Sequence, residues 1–181
     1  MRIVFPYNLK MYPYYFQNRI KYLSIFAKSI FMKNIFQQEA AQEIVERINN
    51  LTNQSQPLWG TMNVAQMLAH CNVTYEMVYD NIHSKPNGFM RFILKSFVKP
   101  KVVSEKPYPK NSPTAPAFKV SASQDFDKEK NRLISYIDQT LKLGEAAFEG
   151  KESLSFGKLS SKEWNAMFYK HLDHHLNQFG V

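Results

Sequence analysis

The segment "SSKEWNAMFYKHLDHHLNQFG", residues 160–180, holds three of the chain's five histidines and governs how the rest is read. Ser160 and Glu163 have the spacing of a capping box, in which each side chain satisfies a free backbone N–H at a helix start. A helix is therefore expected over Ser161–Phe179, with Gly180 suited to closing it and Phe179 and Val181 able to anchor its end. Side chains advance by about 100° per residue around a helix. With Trp164 at zero, Phe168, Leu172 and Phe179 fall at about 40°, 80° and 60°, and Met167 at about 300°. His171 then lies at about 340° and His175 at about 20°, inside the apolar arc. His174 sits at the edge of that arc and Asp173 points away from it. An i,i+4 pair stacks two imidazoles where they can share one ion. A solvated polar tail is the competing reading.

Three further helical segments show the same 3.6-residue periodicity. The first is Gln38–Asn50, with Ile44, Val45 and Ile48 inward, closed by the turn-rich "NNLTNQSQP". The second is Asn63–Asp80, opened by Asn63 as N-cap, with Val64, Met67, Leu68, Cys71, Tyr75 and Val78 as its apolar stripe. The third is Asp125–Phe148, with Leu133, Ile134, Ile137 and Leu141 inward. More than 40 residues separate the second from the third. They hold six of the nine prolines and a short amphipathic helix expected at Gly88–Val98. Connections this long are commonly functional or disordered, and this one suits a crossover strap and lid. Nothing alternates as a sheet. The fold expected is all-α: an antiparallel four-helix bundle with a long crossover between helices 2 and 3.

A chain of 181 residues fits one domain. A single cysteine, Cys71, excludes an internal disulfide and any CxxC zinc site, and points to a reducing, cytoplasmic setting. On an apolar helix face it reads as core filler. The net charge of +8 invites a nucleic-acid reading, but its distribution argues against one. Residues 1–31 carry five basic residues (Arg2, Lys10, Arg19, Lys21, Lys28) and no acid. Without them, 18 basic and 15 acidic residues leave +3 on residues 32–181. Lys95, Lys99 and Lys101 in "RFILKSFVKPK" then read as a solvated loop face. Residues 1–31 are aromatic and basic without clear amphipathic period. They read as a disordered leader or a mis-assigned start, with Met32 opening the domain at 32–181; a membrane-surface anchor is the alternative. No stretch reaches the roughly 18–20 apolar residues that span a bilayer.

The third ligand suggested for the His171–His175 pair is His70 in "MNVAQMLAHC", at the edge of the second helix's stripe. His83 falls in a Ser/Pro/Asn/Gly loop and reads as solvated. One histidine from one helix and two from another leave coordination positions open, as in catalytic rather than structural sites. Imidazole suits zinc, nickel and iron alike, so the divalent metal ion is not specified.

"MNVAQMLAHC" and "HLDHHLNQFG" together resemble the signatures of the DinB-like superfamily of four-helix proteins, which includes YfiT-type enzymes. The match is closest to a branch of unknown function and covers residues 32–181. The resemblance implies an antiparallel bundle with a long second-to-third connection and a divalent metal on His70, His171 and His175. It also implies frequent homodimerisation. Many relatives carry tryptophan where this chain has Met62; Trp59 is nearby but displaced.

Three neutral imidazoles leave a cation its full double charge, able to acidify water or hold a thiol as thiolate. The expected function is thus a metal-dependent enzyme of thiol-transferase or hydrolase type, acting on a small molecule such as a low-molecular-weight thiol. The alternative is a non-catalytic, metal-stabilised bundle serving ligand binding or dimerisation. No catalytic residue is assigned. Asp173 faces away, Glu76 lies off the arc of His70, and Gln66 and Tyr75 read as surface and core residues. Lack of a nearby carboxylate favours thiol transfer over hydrolysis.

Overall fold

The computed structural model describes residues 32–181, and the leader expected at residues 1–31 lies outside the described residues. The described chain is predominantly helical. Helix α1 spans Gln38–Asn49, α2 Val64–Tyr79, α3 Gly88–Ile93, α4 Lys99–Val102, α5 Phe126–Leu143 and α6 Ser161–Gln178. A π-helical turn at Leu94–Val98 joins α3 to α4. Two-residue strands β1 (Glu152–Ser153) and β2 (Gly157–Lys158) pair antiparallel, a hairpin the sequence pattern did not signal. Helix α1 packs on α5 and α6, and α2 packs on the same two helices.

The sequence rules that begin these helices act as expected. Ser160 accepts from the Glu163 N–H while Glu163 accepts from the Ser160 N–H. Asn63 forms the same box with Gln66, which places Gln66 in capping rather than on an ordinary helix surface. Asp125 caps α5. The end of α5 differs from expectation. Gly144 adopts φ +73°, stopping the helix at Leu143, and Glu145–Phe148 continues as a 3₁₀ turn instead of α-helix. Left-handed backbone at a helix end favours glycine, and the periodic Phe148 disguised the break.

Helix α2 is buried on nearly every side from Val64 to Glu76, and Tyr75 is core as read. Its ring stacks on Phe168, centroids 4.7 Å apart, and on Tyr136 at 5.7 Å. Cys71 is buried against Met67, and burial pushes its thiol far above the ordinary range, so the core-filler reading holds. On α5 the buried positions are Glu129, Leu133, Tyr136, Ile137 and Thr140; Ile134 and Leu141 are only half-buried.

Two polar assemblies lie inside this packing. Arg132 Nη2 donates to Glu129 Oε2 and pairs with Glu76 Oε1, both at 2.7 Å, while His83 Nε2 meets Glu76 Oε2 at 2.7 Å. His83 is therefore half-buried and partnered, not solvated. Asn72 adds a hydrogen bond to Glu129 Oε2 at 2.9 Å, so neither buried carboxylate lacks partners. The second assembly ties the start of the described chain to α6. Asn165 Oδ1 accepts from the Ile35 N–H at 2.7 Å, and its Nδ2 donates to the Lys33 carbonyl at 3.1 Å.

The C-terminal helix is held along its length. Arg47 on α1 donates to Asp173 Oδ1 at 2.7 Å, to Asn177 Oδ1 at 3.1 Å and twice to the Val181 carbonyl. Asp173 thus faces α1, away from the histidines. Asn165→Ala is expected to destabilise the protein by about 1–3 kcal/mol, the cost of orphaning the buried Ile35 N–H, read as a lowered urea midpoint.

Candidate metal centre

His70 comes from the middle of α2, and His171 and His175 from the last two turns of α6. The structure brings all three together. One ring nitrogen of each lies within 4.8 Å of the others, and the ring centroids are 4.6–4.9 Å apart. His70 Nε2 and His171 Nε2 are 2.9 Å apart. A tetrahedral zinc with Zn–N near 2.0–2.1 Å would hold its nitrogens about 3.3 Å apart, so small ring movements suffice. His70 and His175 are buried and His171 is partly so.

The outward nitrogens determine what the inward ones can do. His70 Nδ1 lies 2.8 Å from the Phe118 carbonyl. A carbonyl only accepts, so that nitrogen carries the proton and neutral His70 turns a lone pair inward from Nε2. Gln178 settles His175 in the same way. Its Nε2 donates to the Trp59 carbonyl, which points Oε1 at His175 Nδ1, 2.8 Å away. His175 Nδ1 therefore donates and its Nε2 is free as a ligand. Thr74 Oγ1 meets His171 Nδ1 at 2.9 Å, and a hydroxyl can give or take the proton. Without a cation, His171 Nε2–H donates to His70 Nε2 and Thr74 donates to Nδ1. Rotation of the Thr74 hydroxyl permits the other tautomer, with all three Nε2 lone pairs converging. The residues present therefore fit a divalent cation. Outer hydrogen bonds of this kind orient metal-binding imidazoles.

Burial keeps the rings neutral. His70 is held below its ordinary value by desolvation, opposed by the Phe118 carbonyl. His171 is held well below it by desolvation and then by its imidazole neighbours. Desolvation, with His70 next, pulls His175 down to about 3. Neutral imidazole is the form that ligates.

His174 is a neighbour of the centre, half-buried as its edge position on the wheel suggested. Its ring stands edge-on between Trp59, at 5.9 Å, and Tyr108, at 5.6 Å. Lys110 covers the Trp59 ring at 4.3 Å. From the long connection, the Phe118 carbonyl meets His70 of α2, and the Lys101 and Ser104 carbonyls meet Lys170 of α6. Lys170 was not anticipated from the sequence. It is buried, donates to the Lys101 carbonyl at 2.9 Å and to the Ser104 carbonyl, and lies over Tyr108 at 4.4 Å. Desolvation lowers it to about 8.

Gly60 adopts φ +83°, and a Cβ there would meet Gln178 Nε2 at 2.6 Å. The loop before α2 thus leaves room for the amide that orients His175. Thr74, Gln178, Gly60 and the Phe118 carbonyl carry no sequence signal of their own. Each depends on a partner roughly fifty or more residues away, Gln178 through the Trp59 carbonyl that aims its oxygen at nearby His175.

The fold and site define a predominantly helical protein with a buried three-histidine cluster able to hold a metal ion. The chain belongs to a family of proteins of unknown function, DUF1569, which matches residues 32–180. No curated protein and no solved structure matches it.

The lowered histidines make stability depend on pH with a definite sign. The unfolded chain, titrating near 6.5, binds protons that folded His175 refuses until about 3. The metal-free protein should keep full stability above 6.5 and lose it progressively as pH falls towards 3. Urea midpoints across that range should show a shallower decline in His175→Asn than in the parent chain.

Proposed function

We propose that His70, His171 and His175 bind a divalent cation, and that the protein is a metal-dependent enzyme of thiol-transferase or hydrolase type. The observation that carries this reading is the set of partners on the outer nitrogens: Phe118 O, Thr74 Oγ1 and Gln178 Oε1 engage the Nδ1 atoms, leaving the Nε2 atoms for a shared ion. The four long helices, their mutual contacts and the long α2-to-α5 connection support placing the chain among DinB-like antiparallel four-helix bundles with a crossover. Residues 32–181 would form that domain, with residues 1–31 as a leader.

Zinc, nickel and iron all suit imidazole ligands. A cation there would supply Lewis-acid chemistry, making a water or thiol nucleophilic near neutral pH. The chain's own residues orient the rings. Thr74 and Gln178 fix two of them, and the Phe118 ring packs against His70 and His171. Among the described residues Asp173 is engaged by Arg47, and Glu76 by Arg132 and His83. With the Lewis acidity such a cation would supply, no carboxylate base would be required, which favours a low-molecular-weight thiol over a peptide bond.

A second reading, a non-catalytic module stabilised by this cluster, draws on the 2.9 Å contact between His70 Nε2 and His171 Nε2. Such a pair satisfies itself without any cation.

Elemental analysis of protein purified without chelator or nickel resin should find one divalent metal per chain. His70→Ala and His171→Ala should each abolish it; full stoichiometry in either removes that residue from the site. Gln178→Leu should weaken metal binding by about 10–100-fold in a chelator competition while the helical circular dichroism stays unchanged. Turnover of thiols with electrophiles by the loaded protein separates the two readings. Tight metal binding without any turnover favours the module.

A further inference from the structure

The segment from α3 to α4 keeps Ile93, Leu94, Val98 and Val102 half-buried, yet it also turns a set of large apolar side chains to solvent. A helix on a globular protein normally turns its apolar stripe inward. Here none of Gly88–Val102 is buried, and Phe89, Phe92 and Phe97 are 75%, 64% and 67% exposed. The opposite side is tethered to the body by charge. Arg91 pairs with Glu152 of β1, and Lys99 Nζ with Glu163 Oε1 of α6 at 2.8 Å. Lys95 lies beside Gly157 of β2. Ion pairs and the half-buried aliphatic residues hold the segment down while its three rings point out. Isolated exposed apolar residues are ordinary, but three phenylalanines on one short ridge mark a contact surface.

The surrounding charge identifies what that surface meets. Between Lys85 and Lys110 the chain carries seven basic residues and one acid, Glu105. The whole of residues 32–181 nets only +3, so the ridge sits in the most basic stretch of an otherwise balanced domain. Lys101 and Lys106 remain exposed in the same stretch. Apolar rings on one face with lysines flanking them is the chemistry of a helix lying in an anionic lipid interface. We propose that the outer face of α3 to α4 docks the protein onto a bilayer bearing anionic phospholipid, with Phe89, Phe92 and Phe97 inserted and the flanking lysines on the headgroups. Among the described residues no helix is long and apolar enough to cross a membrane, and docking needs none.

Two other partners fit less well. The three rings offer roughly 400 Å², against about 800 Å² per subunit in a stable dimer. Single-stranded nucleic acid needs platforms on which successive bases stack, whereas these rings stand along a convex helical ridge.

The test compares the full chain with its Phe89→Ser/Phe92→Ser/Phe97→Ser variant, whose changes touch no buried residue. Residues 1–31, with five basic residues and no acid, have their own attraction for anionic lipid, so both proteins retain them. Each is sedimented with vesicles of phosphatidylcholine alone and of equal parts phosphatidylcholine and phosphatidylserine. The parent should bind the mixed vesicles, release them as salt rises, and bind neutral vesicles poorly. The variant should bind mixed vesicles at least about tenfold more weakly. Equal binding by both proteins, or no binding by the parent, overturns the proposal. So does a phenylalanine-dependent dimer in sedimentation velocity, or phenylalanine-dependent oligonucleotide binding, in a protein that ignores vesicles. Metal content, measured on the same samples, is independent of the result.

Discussion

Three imidazoles inside a helical core must each find an acceptor for one N–H, because an unsatisfied buried donor is costly. That requirement organises this protein. The Phe118 carbonyl accepts from His70 and Gln178, in the next turn of α6, accepts from His175; His171 gives its proton to His70 while Thr74, on the helix facing α6, donates to its outer nitrogen. Phe118, Gln178 and Thr74 each fasten a ring from outside, and the inner nitrogens converge as a result. The centre is a property of these hydrogen bonds as much as of the histidines. It exists only when α2, α6 and the long connection are in register.

Several features that look unrelated serve this register. Arg47 clamps the end of α6 against α1, so the last turns, where His171 and His175 sit, do not fray. Asn165 fixes the other end of α6 to the chain near Ile35. Lys170 spends a partly desolvated ammonium on two carbonyls of the connection and thereby ties it to α6. Burying a lysine costs free energy; what it secures here is the position of the connection.

How much of this the sequence reveals follows from the range of each interaction. Local rules suffice for the capping box at Ser160, the i,i+4 pairing of His171 with His175 and the inward turn of α6. The third histidine was legible at the edge of the α2 stripe because the stripe is strong. Family resemblance reinforced that choice. What stayed hidden is long-range. Thr74 reads as one more helix residue until His171 is seen beside it. His83 reads as a loop histidine because Glu76, its partner, is apparent only in space. Gly144 ended α5 early while Phe148 kept the apolar period going. The short helix at Gly88 was foreseen, but amphipathicity alone could not say which face would be turned to solvent.

Gly60 shows how such coupling constrains change. The volume a side chain would need there is already filled by the amide of Gln178, and the backbone's positive φ disfavours one anyway. Two positions over a hundred residues apart therefore share one small space. A side chain at 60 would push that amide aside, and with it the oxygen that holds His175 Nδ1. The tolerance of the loop before α2 is thus set by a glutamine near the far end of the chain.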